Sequence, residues 1–349
     1  MATRFSSRFN PPSNKTPHGH VRRRPPSFPN WLIAVFAAMG IIAIALIVRQ
    51  ILTNIDESNI TAKANDNRTW LDEAWTLNPQ SDEAIQTLVA QLKASKIHVI
   101  YVPTGAWRLD GEYRPHDYAE SFRAQLKAAD SNLKVLAWIW YQPSRHANEI
   151  SETSLVNYAR TVIDDWGYDG VQIRGFDIAD GSESYARLIR AVGEITGKDH
   201  ILSISAPPDH NPTDTDVPRG EGNPSISWNP RYKQRLAALV DEMVIFPFPS
   251  GLDSVADYET WVAYQVETYA RDVALLDIDV KLIVALPVHG ESFLHDPLIE
   301  NLTTATNGTR QGIQDAGDAG KRMITGAALY SYEEASPQDW LDFQANWTD

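Results

Sequence analysis

From Thr69 onward the chain alternates between two hydrophobic patterns. Short runs rich in Val, Ile and aromatic residues recur: "HVIYVP" (98–103), "KVLAWIWY" (134–141), "GVQIRGF" (170–176), "ILSISAP" (201–207), "EMVIFPF" (242–248), "KLIVALPV" (281–288) and "GAALYSY" (326–332). Their length and composition predict strands. Between them the apolar residues return every three or four positions, which predicts amphipathic helices. In 81–96 this spacing puts Ile85, Leu88, Val89 and Leu92 on one face. In 182–197 it does the same with Tyr185, Leu188, Ile189 and Val192, with Ser182 as N-cap and Gly197 as the stop. The stretch 229–240 opens with Pro230 at the first helical position.

With "TWLDEAW" (69–75) as a first strand, eight strand–helix units fit into residues 69–349. Strands separated by helices form parallel βαβ units. Eight of them in about 250 residues or slightly more predict an α/β fold of the (β/α)₈ barrel type. A doubly wound open sheet would bring a glycine-rich turn after the first strand, and "TWLDEAWTLNP" has none.

The N-terminus follows a different pattern. Residues 31–48, "WLIAVFAAMGIIAIALIV", are uncharged and apolar, and Arg49 closes them. At about 1.5 Å per residue they suffice for a helix across a bilayer core of about 30 Å. Residues 1–30 carry Arg4, Arg8, Lys15, Arg22, Arg23 and Arg24, no acidic residue and many prolines. This predicts a basic, Pro-rich cytoplasmic tail (1–30), a single transmembrane anchor (31–49), a polar linker (50–68) and an extracytoplasmic barrel (69–349). A cleaved signal peptide is the other reading, but the apolar run exceeds the usual length and no small-x-small site follows it.

Composition narrows the function. The net charge is −14, of which +6 sits in residues 1–30, leaving −20 for the rest. So acidic a body excludes nucleic acid as its partner. The absence of cysteine removes disulfides, thiolate metal sites and cysteine nucleophiles. Eleven Trp and thirteen Tyr supply rings that either fill the barrel or stack on sugars.

In such a barrel the chemistry gathers at the C-terminal ends of the strands. That places Trp75, Thr104, Trp107, Trp140, Tyr141, Gln142, Phe176, Asp177, Phe246, Phe248, His289, Glu291, Tyr330, Tyr332 and Glu333 as candidates. Of these, Trp75, Trp107, Trp140, Tyr141, Arg174 from within the fourth strand, Phe248, Tyr330 and Glu333 are the expected sugar-binding set. The cluster His289, Glu291, His295 and Asp296 fits neither the zinc-helix nor the calcium-loop spacing, so neither metal nor cofactor is expected. Asp164, Asp165, Asp209, Asp241 and Glu242 fall near helix ends and strand starts and read as caps or solvated charges.

The segment "WGYDGVQI" resembles the chitinase-like glycoside hydrolases of family 18, whose fourth strand runs Asp-Gly-x-Asp-x-Asp-x-Glu. Around it, "LKVLAWIW" resembles the family's third strand, "ILSISAPP" its fifth and "VDEMVIFPFP" its sixth, which carries Asp-x-x-x-x-Met-x-Tyr-Asp. "VKLIVALPVHG" and "GAALYSYEE" resemble its seventh and eighth. The resemblance spans residues 69–349 and implies a polysaccharide ligand and a retaining mechanism. In that mechanism the motif's Glu protonates the leaving oxygen, while the Asp two residues earlier orients the acetamido group that attacks the anomeric carbon. A raised-pKa carboxyl beside a carboxylate is its requirement.

The departures from that pattern bear on chemistry. Asp169 keeps the first position, but Gln172 and Arg174 stand at the second and third, and Phe176 stands where the acid should be. On the sixth strand Phe246, Phe248 and Pro249 replace Met, Tyr and Asp. Two readings stay open: a hydrolase with displaced carboxylates, Asp177 and Glu291 foremost, or a carbohydrate-binding or scaffold barrel without catalysis. A bulge at Gly175 would turn Asp177 inward; otherwise it makes a turn. Arg174 is expected inside the barrel with Gln172 below and Phe176 above. There it either pairs with Asp72, Glu73 or Glu333 or binds an acidic sugar substituent such as a uronate.

Overall fold

A computed structural model of the chain describes residues 65–348. The tail 1–30, the apolar segment 31–49 and all but the end of the linker lie outside the described residues. Eight parallel strands close into a barrel. They are β1 (Asn67–Trp70), β2 (Ile97–Pro103), β5 (Lys134–Tyr141), β6 (Gly170–Gly175), β7 (Ile201–Ala206), β8 (Glu242–Ile245), β9 (Lys281–Pro287) and β10 (Ile324–Tyr330). Each pairs with its neighbour in chain order, and β10 closes onto β1 through Arg68↔Ala328 and Thr69↔Leu329. A small hairpin, β3 (Gly105–Trp107) with β4 (Tyr113–Pro115), rises from the β2 end. Among the described residues no helix is long and apolar enough to cross a membrane.

The helical pattern holds residue by residue. Ile85, Leu88, Val89 and Leu92 are buried on Asp82–Ala94, and Ser81 caps it by accepting from the Ala84 N–H. Tyr185, Leu188, Ile189 and Val192 are buried on Glu183–Thr196, whose Ser182 cap accepts from Tyr185 and whose Gly197 stop has φ of 59°. The close strand packing has its own requirement at Gly170: a Cβ there would come within 2.1 Å of the Ile201 carbonyl oxygen.

Two strand assignments need correction. The first strand is Asn67–Trp70, not 69–75, because Asp72 Oδ1 takes the Ala74 N–H at 2.7 Å and starts a short helix, Ala74–Leu77. Trp75 therefore sits on a helix. The strand expected over 242–248 ends at Ile245, because Pro247 and Pro249 have no N–H for the ladder.

A third correction concerns Glu242, which is no solvated charge: it is 1% exposed inside the barrel. Arg68 Nε donates to its Oε2 at 2.6 Å. Ser203 Oγ donates to its Oε1 at 2.8 Å, and the Tyr101 hydroxyl donates there too. Asp66 Oδ1 lies 2.8 Å from the same guanidinium, and Lys281 stands 2.6 Å from Asp66. The two bases hold the Asp66 carboxyl at about 2, against the opposing effect of its own burial. This network seals the N-terminal end of the barrel, where every charge has a partner. Asp169 and Asp241 do act as strand-start acceptors, for the Val135 and Leu202 N–H groups.

Breaking this network should be costly. Glu242→Ala leaves the Arg68 cation short of its main partner and should destabilise the fold by about 3–5 kcal/mol in urea unfolding. A loss below about 1 kcal/mol would show that the network is incidental.

Candidate functional site

Side chains at alternate strand positions fill the barrel above that network. Trp70, Leu136, Trp138, Val244, Phe246, Ile283, Ala285, Ala328 and Tyr330 form an inner apolar cluster, joined by Phe248. Into it β6 sends Gln172 and then Arg174. Gln172 is fully buried, and neither its amide oxygen nor its amide nitrogen has a partner.

Arg174 points inward as expected, but its surroundings differ from expectation. Its guanidinium carbon lies 4.1 Å from the Phe246 ring centroid, 4.5 Å from Tyr330 and 5.0 Å from Phe176. Asp72, Glu73 and Glu333 form no ion pair with it, and its Nη1 is buried without a hydrogen-bond partner. Burial pulls its pKa below the ordinary arginine value, and the Tyr330 phenol opposes that shift. A guanidinium stays charged at neutral pH regardless. The internal salt bridge belongs instead to Arg68, and Arg174 is a cation boxed by rings.

Phe176 stands above it and is 38% exposed. No bulge occurs at Gly175: the β5–β6 register runs unbroken to Tyr141↔Gly175. Asp177 leaves the strand instead with φ of 53°, in the left-handed region that aspartate tolerates better than most residues. Its Oδ2 is 3.4 Å from the Gln142 amide nitrogen, and it does not pair with Arg174. Phe176 and Asp177 form a rim shared by two cavities. One, of about 320 Å³, is walled by Trp138, Trp140 and Gln142. The other, of about 340 Å³, is walled by Arg174, Ser205, His210, Phe246 and Phe248 among others.

The remaining candidates separate. Tyr141 points away from the lumen and is 0% exposed, stacked towards Tyr185 under the helices, because its neighbour Trp140 takes the inward phase. Trp107 stacks on His146 at 4.0 Å and donates to the Trp140 carbonyl at 2.6 Å, which makes it a wedge behind the wall of the 320 Å³ cavity. Trp75 donates to Glu333 Oε1 at 2.6 Å, away from both cavities. Partial burial, with Asp72 nearby, pushes the Glu333 carboxyl above its ordinary value. Glu291 is exposed on the loop after β9.

The sequence reading missed the pairing at His295. Its Nδ1 lies 2.7 Å from Glu300 Oε2, and its Nε2 is 3.2 Å from the His289 carbonyl oxygen. A carbonyl only accepts, so Nε2 carries a proton. Glu300 is fixed in turn by the Ser250 N–H at 2.6 Å. The His289 ring stacks on His295 at 3.9 Å and meets Phe248 and Tyr330, which joins it to the aromatic box. Among the described residues no three His, Asp or Glu side chains gather to hold a metal.

A class V chitinase from Pseudomonas fluorescens superposes with a TM-score of 0.54 at 11% identity, over 80% of this chain and 98% of that one. The spore cortex-lytic enzyme SleL from Bacillus cereus gives 0.51 at 9% identity, over 81% of this chain and 74% of that one. The fold is that of the chitinase-like glycoside hydrolases. An endo-1,4-beta-mannanase from Rhizomucor miehei also gives 0.51, at 12% identity over 81% and 92% of the two chains. At such identities the likeness carries the fold and not the substrate. No protein-family model matches the chain, and no curated protein is similar to it in sequence. Within this barrel, β6 presents Arg174 at its C-terminal end, and Phe176 follows it.

Burial, His295 and Arg174 together lower the His289 pKa from 6.5 to about 4. Between those values the unfolded chain binds a proton that native His289 refuses, so stability should fall as pH drops from 6.5 to 4. His116, His146 and His210, also held down by burial, act in the same sense. His289→Gln should flatten part of that slope in pH-dependent unfolding. An imidazole resonance for His289 titrating near 6.5 would contradict this.

Proposed function

We propose that this protein is a membrane-anchored, extracytoplasmic barrel that recognises a polysaccharide without cleaving it by the acid-catalysed route of the chitinase-like enzymes. The observation that carries this reading is the substitution at the mouth: a caged cation and an exposed phenyl ring stand where hydrolysis needs a carboxyl pair. The usual retaining and inverting routes require two carboxyl groups flanking the scissile bond, about 5–9.5 Å apart depending on mechanism, and the substrate-assisted route still requires a carboxyl acid beside a second carboxylate. Asp177 is the carboxylate common to the rims of the two cavities, and neither has a second one in its wall. What the mouth does offer is ring surface, from Trp138, Trp140, Phe176 and Phe248, along two adjoining hollows. Such surfaces suit the apolar faces of consecutive sugar units. The likeness in fold to a spore cortex-lytic enzyme and a class V chitinase supports a polysaccharide as the ligand class.

A second reading keeps hydrolysis with displaced carboxyls. Its best support is Glu333, held above its ordinary pKa beside Asp72 at the far side of the mouth. A panel of polysaccharides, including chitin and peptidoglycan, assayed for binding and for reducing-end release, separates the two. Binding without release is the expected result. Release that Glu333→Gln abolishes would establish the second reading.

The anchor is tested on its own. The +6 tail and the acidic remainder on either side of an apolar segment support a cytoplasmic N-terminus. Protease added to intact spheroplasts should digest the barrel and spare residues 1–30. A protected barrel would overturn the topology.

A further inference from the structure

Arg174 raises a problem that sugar recognition by stacking does not use. Its guanidinium has five N–H donors. Among the described residues the Tyr330 hydroxyl takes one of them, no carboxylate or backbone carbonyl takes another, and Nη1 is buried without a partner. The other arginine inside the barrel is satisfied by anions: Arg68 has Glu242 and Asp66. Three rings lie within 5.0 Å of the Arg174 cation, which stays partly exposed, and a ring face is a weak partner compared with an anion. The residue also lines the 340 Å³ cavity, which lies at the small end of the range for ligand sites, about 300–1,000 Å³.

We propose that this cavity binds the carboxylate of an acidic sugar residue, with Arg174 as its counter-ion, so that the polysaccharide recognised is an anionic one. The inference rests on the reading that the mouth binds polysaccharide. The planar guanidinium fork matches a carboxylate through two parallel hydrogen bonds, which no neutral sugar hydroxyl can reproduce. The walls supply what else the site requires: the exposed Phe176 for the ring of the sugar, and a low dielectric that strengthens the ion pair. The acidic surface of the protein does not defeat this. Exposed charges, Asp177 on the rim included, are screened beyond about 8 Å at physiological salt, whereas the caged cation is not.

The test uses the detergent-solubilised full-length chain and calorimetric titration with three oligosaccharides of equal length. These are an oligouronate, its methyl ester, and a neutral N-acetylglucosamine oligomer. The oligouronate should bind at least tenfold more tightly than its ester. Arg174→Met should erase that difference, and Arg174→Lys, which keeps the charge but not the fork, should retain part of it. Equal binding of acid and ester by the native chain would overturn the proposal and leave polysaccharide recognition standing, as would a preference for the acid that survives in Arg174→Met. Failure of all three oligomers to bind, with polysaccharides failing in the wider panel too, would remove both readings together. Should the Met variant fail to fold, the acid-to-ester ratio of the native chain and of the Lys variant still decides.

Discussion

Taking a guanidinium out of water is costly, and this barrel does it fully at Arg68 and partly at Arg174. At the N-terminal end Arg68 meets Glu242 and Asp66, with Tyr101 and Ser203 completing the hydrogen bonds. That arrangement is closed, and nothing from outside is needed to satisfy it. At the C-terminal end Arg174 meets only rings and a phenol. Residues kept at such a cost are expected where function and not stability sets the choice.

Much of the frame was legible along the chain, because a barrel of parallel strands leaves strong local marks. The strand Lys134–Tyr141 ends where its apolar run ends, and the helix faces read from spacing alone are the buried faces. The errors have a common form. They arise where a strand ends, because the side-chain period of two is lost within a residue or so of the last ladder bond. Tyr141 looked like a rim residue but takes the outward phase, while Trp140 takes the inward one. Trp75 looked like a strand end but follows an Asp72 turn. The alternation within "LAWIWY" already implied the first of these, and Asp72 two residues before Ala74 hinted at the second.

The site was legible in its substitutions and not in its pairings. A degenerate motif announces what is missing: Phe176 and Arg174 could be read as incompatible with the usual acid. It does not announce which charge ends beside which, since that depends on residues scattered across the barrel. Glu242 was read as solvated because it opens a strand, yet Arg68, 174 residues away, draws it into the lumen. The Glu300–His295 pairing, only five residues apart, stayed hidden because its meaning depends on Phe248, His289 and Tyr330 from other elements.

The central claim is that Arg174 is maintained for a ligand and not for the fold. Its most direct test is urea unfolding of the ligand-free protein, native against Arg174→Met. If the account holds, replacing an uncompensated cation with an apolar side chain of similar length leaves stability unchanged or raises it. A loss of about 3–5 kcal/mol, as for breaking a buried ion pair, would mean that the cation already has its partner within the protein, and would contradict the account.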